Sequence, residues 1–194
     1  MKKFLGAVLA VMLGAVSLFA GDAEEIKALL IKDLELGARG DFQGALSLRT
    51  PDFVEVSSDG TVTLEQCRWL FLALDGEHPE EFFLTALVHE SRGEFKAPTA
   101  EQMMRIRAVT RDPDFLREYK AESAKMLEGF KADQALQLKT LKIVGIEVDG
   151  DSATARVEFD SKPPRGGIEH TFGTISLRRV DGKWMICKAV FAYK

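Results

Sequence analysis

The chain has 194 residues, 46% of them hydrophobic, and a formal net charge of −4 at pH 7. This length suits one domain with its own hydrophobic core. The mild acidity argues against nucleic-acid binding, which needs a clustered basic face.

The N-terminus has the parts of a secretory signal peptide. Lys2 and Lys3 form a basic start, an apolar run covers residues 4–16, and small residues surround Ala20 and Ala23. A retained anchor is the alternative, but the stretch from residue 4 to residue 20 is at the short limit for spanning, which takes about 20 apolar residues. We therefore predict removal of residues 1–20, or of residues up to 23, periplasmic or secreted localisation, and no membrane span after processing.

The front of the mature chain predicts helices and one hairpin. Asp22 opens the capping box DAEE, apolar residues follow at helical spacing, and Gly37 and Gly40 end the pattern. The stretch DFVEVSSDGTVT, residues 52–63, predicts a small hairpin because Asp-Gly is a strong turn signal between strands.

Capping signals also mark the later helices. Thr63 opens a capping box and a helix that bears Cys67, and Thr99 opens another. Asp112 precedes a proline, which suits the first position of a helix. Residues 78–136 are therefore predicted to be helical.

From Leu138 the hydrophobic period changes from 3.6 to two, which predicts strands. Asp-Gly turns between them indicate antiparallel neighbours. The last strand is apolar on both faces apart from Lys188, so we expect it to be central and covered on both sides. The predicted strands lie near residues 138–148, 152–161, 168–180 and 183–193.

Together these elements predict an α+β fold with N-terminal helices and an antiparallel sheet. The sheet would combine the C-terminal four-strand meander with the small hairpin. GDFQGALSLRTPDFVEVSSDGTVTLEQ, VDGDSATARVEF and RRVDGKWMICKAVF resemble the nuclear transport factor 2-like superfamily. That superfamily has a cystatin-like cone fold and includes ketosteroid isomerase-like and SnoaL-like proteins. The resemblance implies that the sheet is curved and wrapped by the N-terminal helices as a cone-like roll. The resemblance implies a single domain over residues 21–194, with a helical insertion at about 78–136 that acts as a lid.

Aromatic residues of the predicted cone would supply the surface of a mostly apolar pocket. These residues are Phe53, Trp69, Phe71, Phe172, Trp184 and Phe191. The first hypothesis is an exported domain that binds a small apolar molecule or a protein partner, without catalysis. A periplasmic lipid carrier is an alternative, and a homodimer through the sheet stays open.

The second hypothesis is an enzyme. The resemblance implies an Asp or His base inside the cone, and of His78, His89 and His170 only the last lies on a predicted strand. His170 is thus the single catalytic candidate, for an isomerase, a dehydratase or a hydrolase-like enzyme; a solvated side chain is the alternative. No HExxH, GxSxG, P-loop or dinucleotide motif occurs, and the histidines lack metal-ligand spacing, so we predict no metal and no cofactor.

Cys67 and Cys187 are the two cysteines of the chain. Their separation excludes a CxxC redox motif and a cysteine-rich zinc site. In an oxidising compartment they could form a disulfide, and two buried thiols that behave as small hydrophobic groups are the alternative. The sequence leaves both interpretations open.

Overall fold

The computed structural model describes the backbone of residues 2–58, 60–90, 97–162 and 166–193. Side chains are described from residue 21 onward, except those of residues 89 and 90. In these ranges the elements, in chain order, are α1 (Lys2–Arg39), α2 (Phe42–Leu46), β1 (Arg49–Ser57), β2 (Gly60–Thr63), α3 (Leu64–Leu74), α4 (Pro79–Glu90), α5 (Ala100–Val109), α6 (Pro113–Thr140), β3 (Lys142–Asp149), β4 (Ser152–Ser161), β5 (Glu169–Val180) and β6 (Lys183–Tyr193).

The strands form one curved sheet that does not close, in the order β2-β1-β6-β5-β4-β3. The predicted α+β fold, the meander and the hairpin are confirmed. The expectation of a wholly antiparallel sheet is wrong at one pair, because β1 runs parallel to β6. Parallel neighbours need a long crossover, and the helices between β2 and β3 provide it. Asp59, at the predicted hairpin turn, lies outside the described residues.

The central position predicted for the last strand is confirmed, since β6 lies between β1 and β5. Its residues Trp184, Ile186 and Ala189 are buried, but Lys188, Val190 and Ala192 are exposed, so the expectation that both faces are covered is wrong. The core forms where α1 crosses the sheet: Ile26 of α1 and Leu177 of β5 are at most 1% exposed. Full burial of one such side chain stabilises the fold by roughly 1.5–3 kcal/mol.

Helix α1 begins upstream of the predicted capping box. It runs without a break through Asp22, so this residue lies inside the helix and is not its cap. Its carboxylate instead accepts hydrogen bonds from Arg179 and, at 3.4 Å, from Trp184 Nε1. Arg179 also lies over the Trp184 ring, 4.7 Å from its centroid. These contacts fix α1 against β5 and β6.

Helix α6 extends further than the periodicity indicated. The strand predicted to begin near residue 138 begins at Lys142, because α6 continues to Thr140. Thr140 also joins the last turn of α6 to the sheet. The Thr140 hydroxyl donates to the Leu136 carbonyl at 2.9 Å and accepts from the Asp160 amide at 2.8 Å.

Two of the helices within residues 78–136, of which 91–96 lie outside the described residues, pack against the remainder of the chain, whereas α5 lies on α4 and has no buried residue. Helix α4 lies on α3, and α6 lies along α1 and on β4. Tyr119 of α6 is buried and its hydroxyl donates to the Ala73 carbonyl of α3 at 2.8 Å. Among the helices whose side chains are described, none combines the length and the apolar character needed to cross a bilayer.

Candidate functional site

A cavity of about 1180 Å³ lies between the sheet and the helices. Helices α1, α2, α3, α4 and α6 and strands β1, β2, β4, β5 and β6 all contribute to its wall. The apolar part of the wall consists of Leu30, Leu34, Ala45, Val62, Leu70, Phe71, Val88, Phe130, Leu141, Val157, Phe159, Ile175 and Phe191. Residues of the predicted insertion, on α4 and α6, therefore form one side of this cavity.

An ion pair between Asp33 of α1 and Arg49 of β1 lies in the wall. Arg49 Nη1 and Nη2 donate to the two carboxylate oxygens at 2.7 and 3.0 Å, and Nη1 also donates to the Ala45 carbonyl at 2.6 Å. The side chains are only 14% and 18% exposed. Burial by itself lowers the pKa of Arg49, but the charge and hydrogen bonds of Asp33, with smaller contributions from Cys67 and Glu55, together raise that pKa above its ordinary value. The pair is bidentate, which is the strongest geometry for such a contact.

Glu55 lies on β1 and also faces the cavity. It is two residues beyond the buried Phe53, and side chains two apart on a strand share a face. Burial raises the pKa of the Glu55 carboxyl; Arg49 opposes this shift and Asp33 adds to it. No donor in the described part of the chain hydrogen-bonds this carboxyl. Glu55 is thus an acid in the wall that Arg49 attracts but that no described donor hydrogen-bonds.

Cys67 of α3 lies in the wall near Glu55. Burial, with a contribution from Glu55, raises the pKa of its thiol to about 12. The thiol therefore stays protonated at neutral pH and is a poor nucleophile. Cys187 lies elsewhere: its Sγ donates to the Ser176 carbonyl at 3.3 Å, and its charged neighbours are Arg178 and Asp52. Both thiols are free in the structure.

We expect a maleimide to modify both cysteines in denaturant without a reductant, because no bond joins Cys67 to Cys187. In the native protein Cys67 should react slowly, since its burial disfavours the thiolate. Mass spectrometry of the adducts counts the modified thiols. A fraction of the protein that accepts the reagent only after reduction would contradict the free state.

Further along the sheet, the cavity wall carries a second group of polar side chains. Ser161 and Thr171 are hydrogen-bonded to each other at 3.0 Å and both are buried. Asp133 of α6 accepts from Gln137 Nε2 at 2.7 Å and from the Lys162 amide at 2.5 Å. Glu169 of β5 also lies in this part of the wall.

Two of the six aromatic residues predicted for the pocket, Phe71 and Phe191, lie in the cavity wall. Phe53 is buried in the core, where the Arg49 guanidinium lies 5.2 Å from its ring centroid. Its ring packs against the guanidinium of the ion pair, and Phe53 is not part of the wall.

The other three predicted aromatic residues lie outside the wall. Trp184 packs against Arg179 and is buried in the core. Trp69 Nε1 donates to Glu65 Oε1 at 3.2 Å along α3. Phe172 makes an edge contact with His170, at 4.8 Å between ring centroids.

His170 lies on the face of the sheet opposite the cavity, because its neighbours Glu169 and Thr171 line the cavity. Its Nδ1 is 2.8 Å from Asp160 Oδ1 on the adjacent strand, and its side chain is 40% exposed. His78 is paired with Asp75 at 2.7 Å, and the His89 side chain lies outside those described. The described residues contain no group of three His, Cys, Asp or Glu side chains placed to hold a metal ion.

The polar residues of the wall were not predicted from the sequence, although two of them carry a signal. Asp33 follows Ile26 by seven residues and Leu30 by three, so it lies on the apolar stripe of α1. Glu55 alternates in phase with Phe53 on β1. A charged residue at a position where the helical or strand period places core residues is the pattern that would have identified Asp33 and Glu55 as wall residues.

Comparisons with known proteins found likeness to solved structures at low sequence identity. No protein-family model matches the chain, and no curated protein matches it significantly. Similar solved structures include a nuclear transport factor 2-like protein with a cystatin-like fold from Novosphingobium aromaticivorans (16% identity, TM-score 0.48, 93% of this chain and 87% of that chain covered). Others are nuclear transport factor 2-like proteins of unknown function from Shewanella baltica (13%, 0.47, 91% and 96%) and Silicibacter pomeroyi (14%, 0.46, 91% and 98%). All three belong to the superfamily that the sequence resembles, and no residue role follows from these likenesses.

Proposed function

We propose that this protein is an exported domain that binds a small, largely apolar molecule in the cavity between its sheet and its helices, without turning it over. The observation that carries the proposal is the cavity itself, with its volume of about 1180 Å³ and a wall in which apolar side chains alternate with polar ones. Ligand pockets in proteins typically enclose about 300–1,000 Å³ and have apolar walls with a few placed polar groups. The cavity therefore suits a molecule at least as large as a typical metabolite.

Three of the reactive side chains, those of Cys67, Arg49 and His170, are in states that favour binding without catalysis. The Cys67 thiol has a pKa of about 12 and stays protonated. Arg49 is held by two hydrogen bonds to Asp33. His170 lies on the other face of the sheet with Asp160, so it supports neither general acid nor general base catalysis on a molecule in the cavity.

Native mass spectrometry of the protein recovered from the exported fraction tests this function directly. We expect a chain that begins at Gly21 or Glu24 and carries one retained small molecule. Val62→Trp should abolish retention, because Val62 lines the cavity and an indole there would occupy part of it. Val144→Trp is the matched control, since Val144 is 57% exposed on β3 and is absent from the wall.

The outcomes separate the alternatives. A chain that keeps Met1 would contradict export, and equal retention by the two variants would contradict binding in the cavity. A retained lipid would identify the protein as a carrier. A bare protein with a second copy or another chain attached would favour a protein partner.

A further inference from the structure

The charges of the cavity wall are strongly unequal. Its carboxylates belong to Asp33, Glu55, Asp133 and Glu169, whereas Arg49 is the only guanidinium among the wall residues that the structure describes. Those described wall residues include no lysine and no histidine. Since Asp33 already neutralises Arg49 at 2.7 Å, the remaining described wall is acidic.

Glu55 is the wall residue to which a ligand would supply the missing hydrogen-bond donor. Arg49 directs its donors to Asp33 and to the Ala45 carbonyl, so Glu55 is left without a hydrogen-bond donor among the described residues. Glu55 is half-buried, and a charge that is partly withdrawn from water without a hydrogen-bond donor is disfavoured. A ligand that supplied both a positive charge and N–H donors would remove that cost.

A second wall group also lacks a partner. The Thr85 hydroxyl of α4 is buried and finds no hydrogen bond within the described structure. Buried polar groups in proteins are nearly always hydrogen-bonded. Two unsatisfied groups on different elements of one cavity indicate that the cavity is built around something polar as well as something apolar.

The surroundings of Glu55 suit a cation with a hydrocarbon body. Cys67, beside Glu55, is followed one helical turn later by Phe71 on the same face of α3. The Phe71 ring stacks on Phe42 at 4.4 Å and meets Phe130 edge-on at 5.8 Å. Aromatic faces attract ammonium groups and also pack against alkyl chains.

We propose that the cavity recognises an organic amine in its ammonium form, with the nitrogen at Glu55 and an apolar body along Phe71 and Phe130. The inference rests on the proposed binding function and names its ligand class. An anionic ligand fits less well, because Arg49, the cation of the described wall, would have to leave Asp33, and Glu55 would repel the anion. A neutral ligand would leave the acidic wall uncompensated.

Three probes with the same chain length test this assignment: octylammonium, 1-octanol and octanoate, titrated into the full protein by calorimetry at pH 7. We expect octylammonium to bind about tenfold or more tightly than 1-octanol, the size of effect that a hydrogen bond to a charged group gives, and octanoate to bind most weakly. Glu55→Gln should remove this preference and leave 1-octanol binding within about threefold. Glu35→Gln, an exposed position on α1, is the control and should change nothing.

The pH dependence of the parent protein gives an independent measurement if Glu55→Gln folds poorly. The groups that face Glu55 are Arg49 on its own strand, Asp33 on α1 and Cys67 on α3. Protonation of Glu55 removes its attraction for a cation, while an alkylammonium stays charged well above neutral pH. Octylammonium affinity should therefore fall as the pH is lowered, and 1-octanol affinity should not.

The possible results are distinct. Equal binding of octylammonium and 1-octanol overturns the amine assignment and leaves the cavity-binding function standing. Tightest binding of octanoate overturns it as well and identifies Arg49 as the anchor. Failure of all three probes to bind overturns the proposed function together with this inference.

Discussion

Replacement of Arg49 by methionine is expected to lower the free energy of unfolding by about 3–5 kcal/mol, the usual cost of removing one partner from a buried ion pair. Asp33 would keep its charge in the wall after losing both of its guanidinium donors. Arg49 also holds α2 through the Ala45 carbonyl, so the substitution removes a link between two elements as well. Urea unfolding followed by tryptophan fluorescence measures this loss.

The control for this experiment is a double variant, Asp33→Leu with Arg49→Met. Replacing a whole buried ion pair by apolar residues of similar volume is often neutral, so the double variant should recover most of the stability. Arg105→Met, which breaks the exposed pair with Glu101, should cost less than about 1 kcal/mol. An Arg49→Met loss no larger than that of Arg105→Met would contradict a structural role of the pair.

The same variant should become more dependent on pH. Burial already raises the pKa of Glu55 in the folded protein, and Arg49 is the group that opposes this rise. An acid whose pKa is higher in the folded state takes up protons on folding, so stability falls as the pH rises from its unfolded to its folded pKa. The loss caused by Arg49→Met should therefore be smaller at acidic pH than at neutral pH.

Local sequence signals predicted the elements well because their causes are local. Thr63 and Thr99 each form the complete capping box, with Gln66 and Gln102 bonded back to the cap. The alternation in β4 matches its burial pattern residue by residue, from Ala153 to Phe159. Caps, turns and periodicity involve neighbours within a few positions, and a single sequence contains that information.

The cavity wall was much less predictable, since it depends on contacts between distant residues. Arg49 and Asp33 are on different elements, and the parallel pairing of β1 with β6 joins segments that are more than 120 residues apart in the sequence, as in the pair Arg49 and Ile186. Asp22 was mispredicted for the same reason. Its local sequence is that of a helix cap, but the residue lies inside α1, and its hydrogen-bond partners are the distant residues Arg179 and Trp184. Which aromatic rings face a cavity depends on such crossings and not on composition.

A single glycine in the sheet links stability to the shape of the cavity. Gly173 of β5 lies between Val157 on β4 and Phe191 on β6. A Cβ atom at this position would lie 2.8 Å from the Phe191 ring and 2.8 Å from a Val157 methyl group. Both neighbours line the cavity, so the space that any side chain at 173 needs must come from the cavity wall or from the strand pairing.

Gly173→Ala is therefore expected to destabilise the fold by about 1–3 kcal/mol, the usual cost of overpacking a well-filled core. The displaced Phe191 ring should also weaken binding of the apolar probe 1-octanol. Gly129→Ala is the matched control: Gly129 is exposed in α6, and a Cβ atom there would meet no described neighbour within 4 Å. Gly129→Ala should stabilise α6 by about 0.5–1 kcal/mol. Urea unfolding should therefore show a lower free energy of unfolding for Gly173→Ala and a higher one for Gly129→Ala. Equal shifts would mean that β5 moves aside to admit a methyl group, and the close packing of Gly173 would then have no consequence for the cavity.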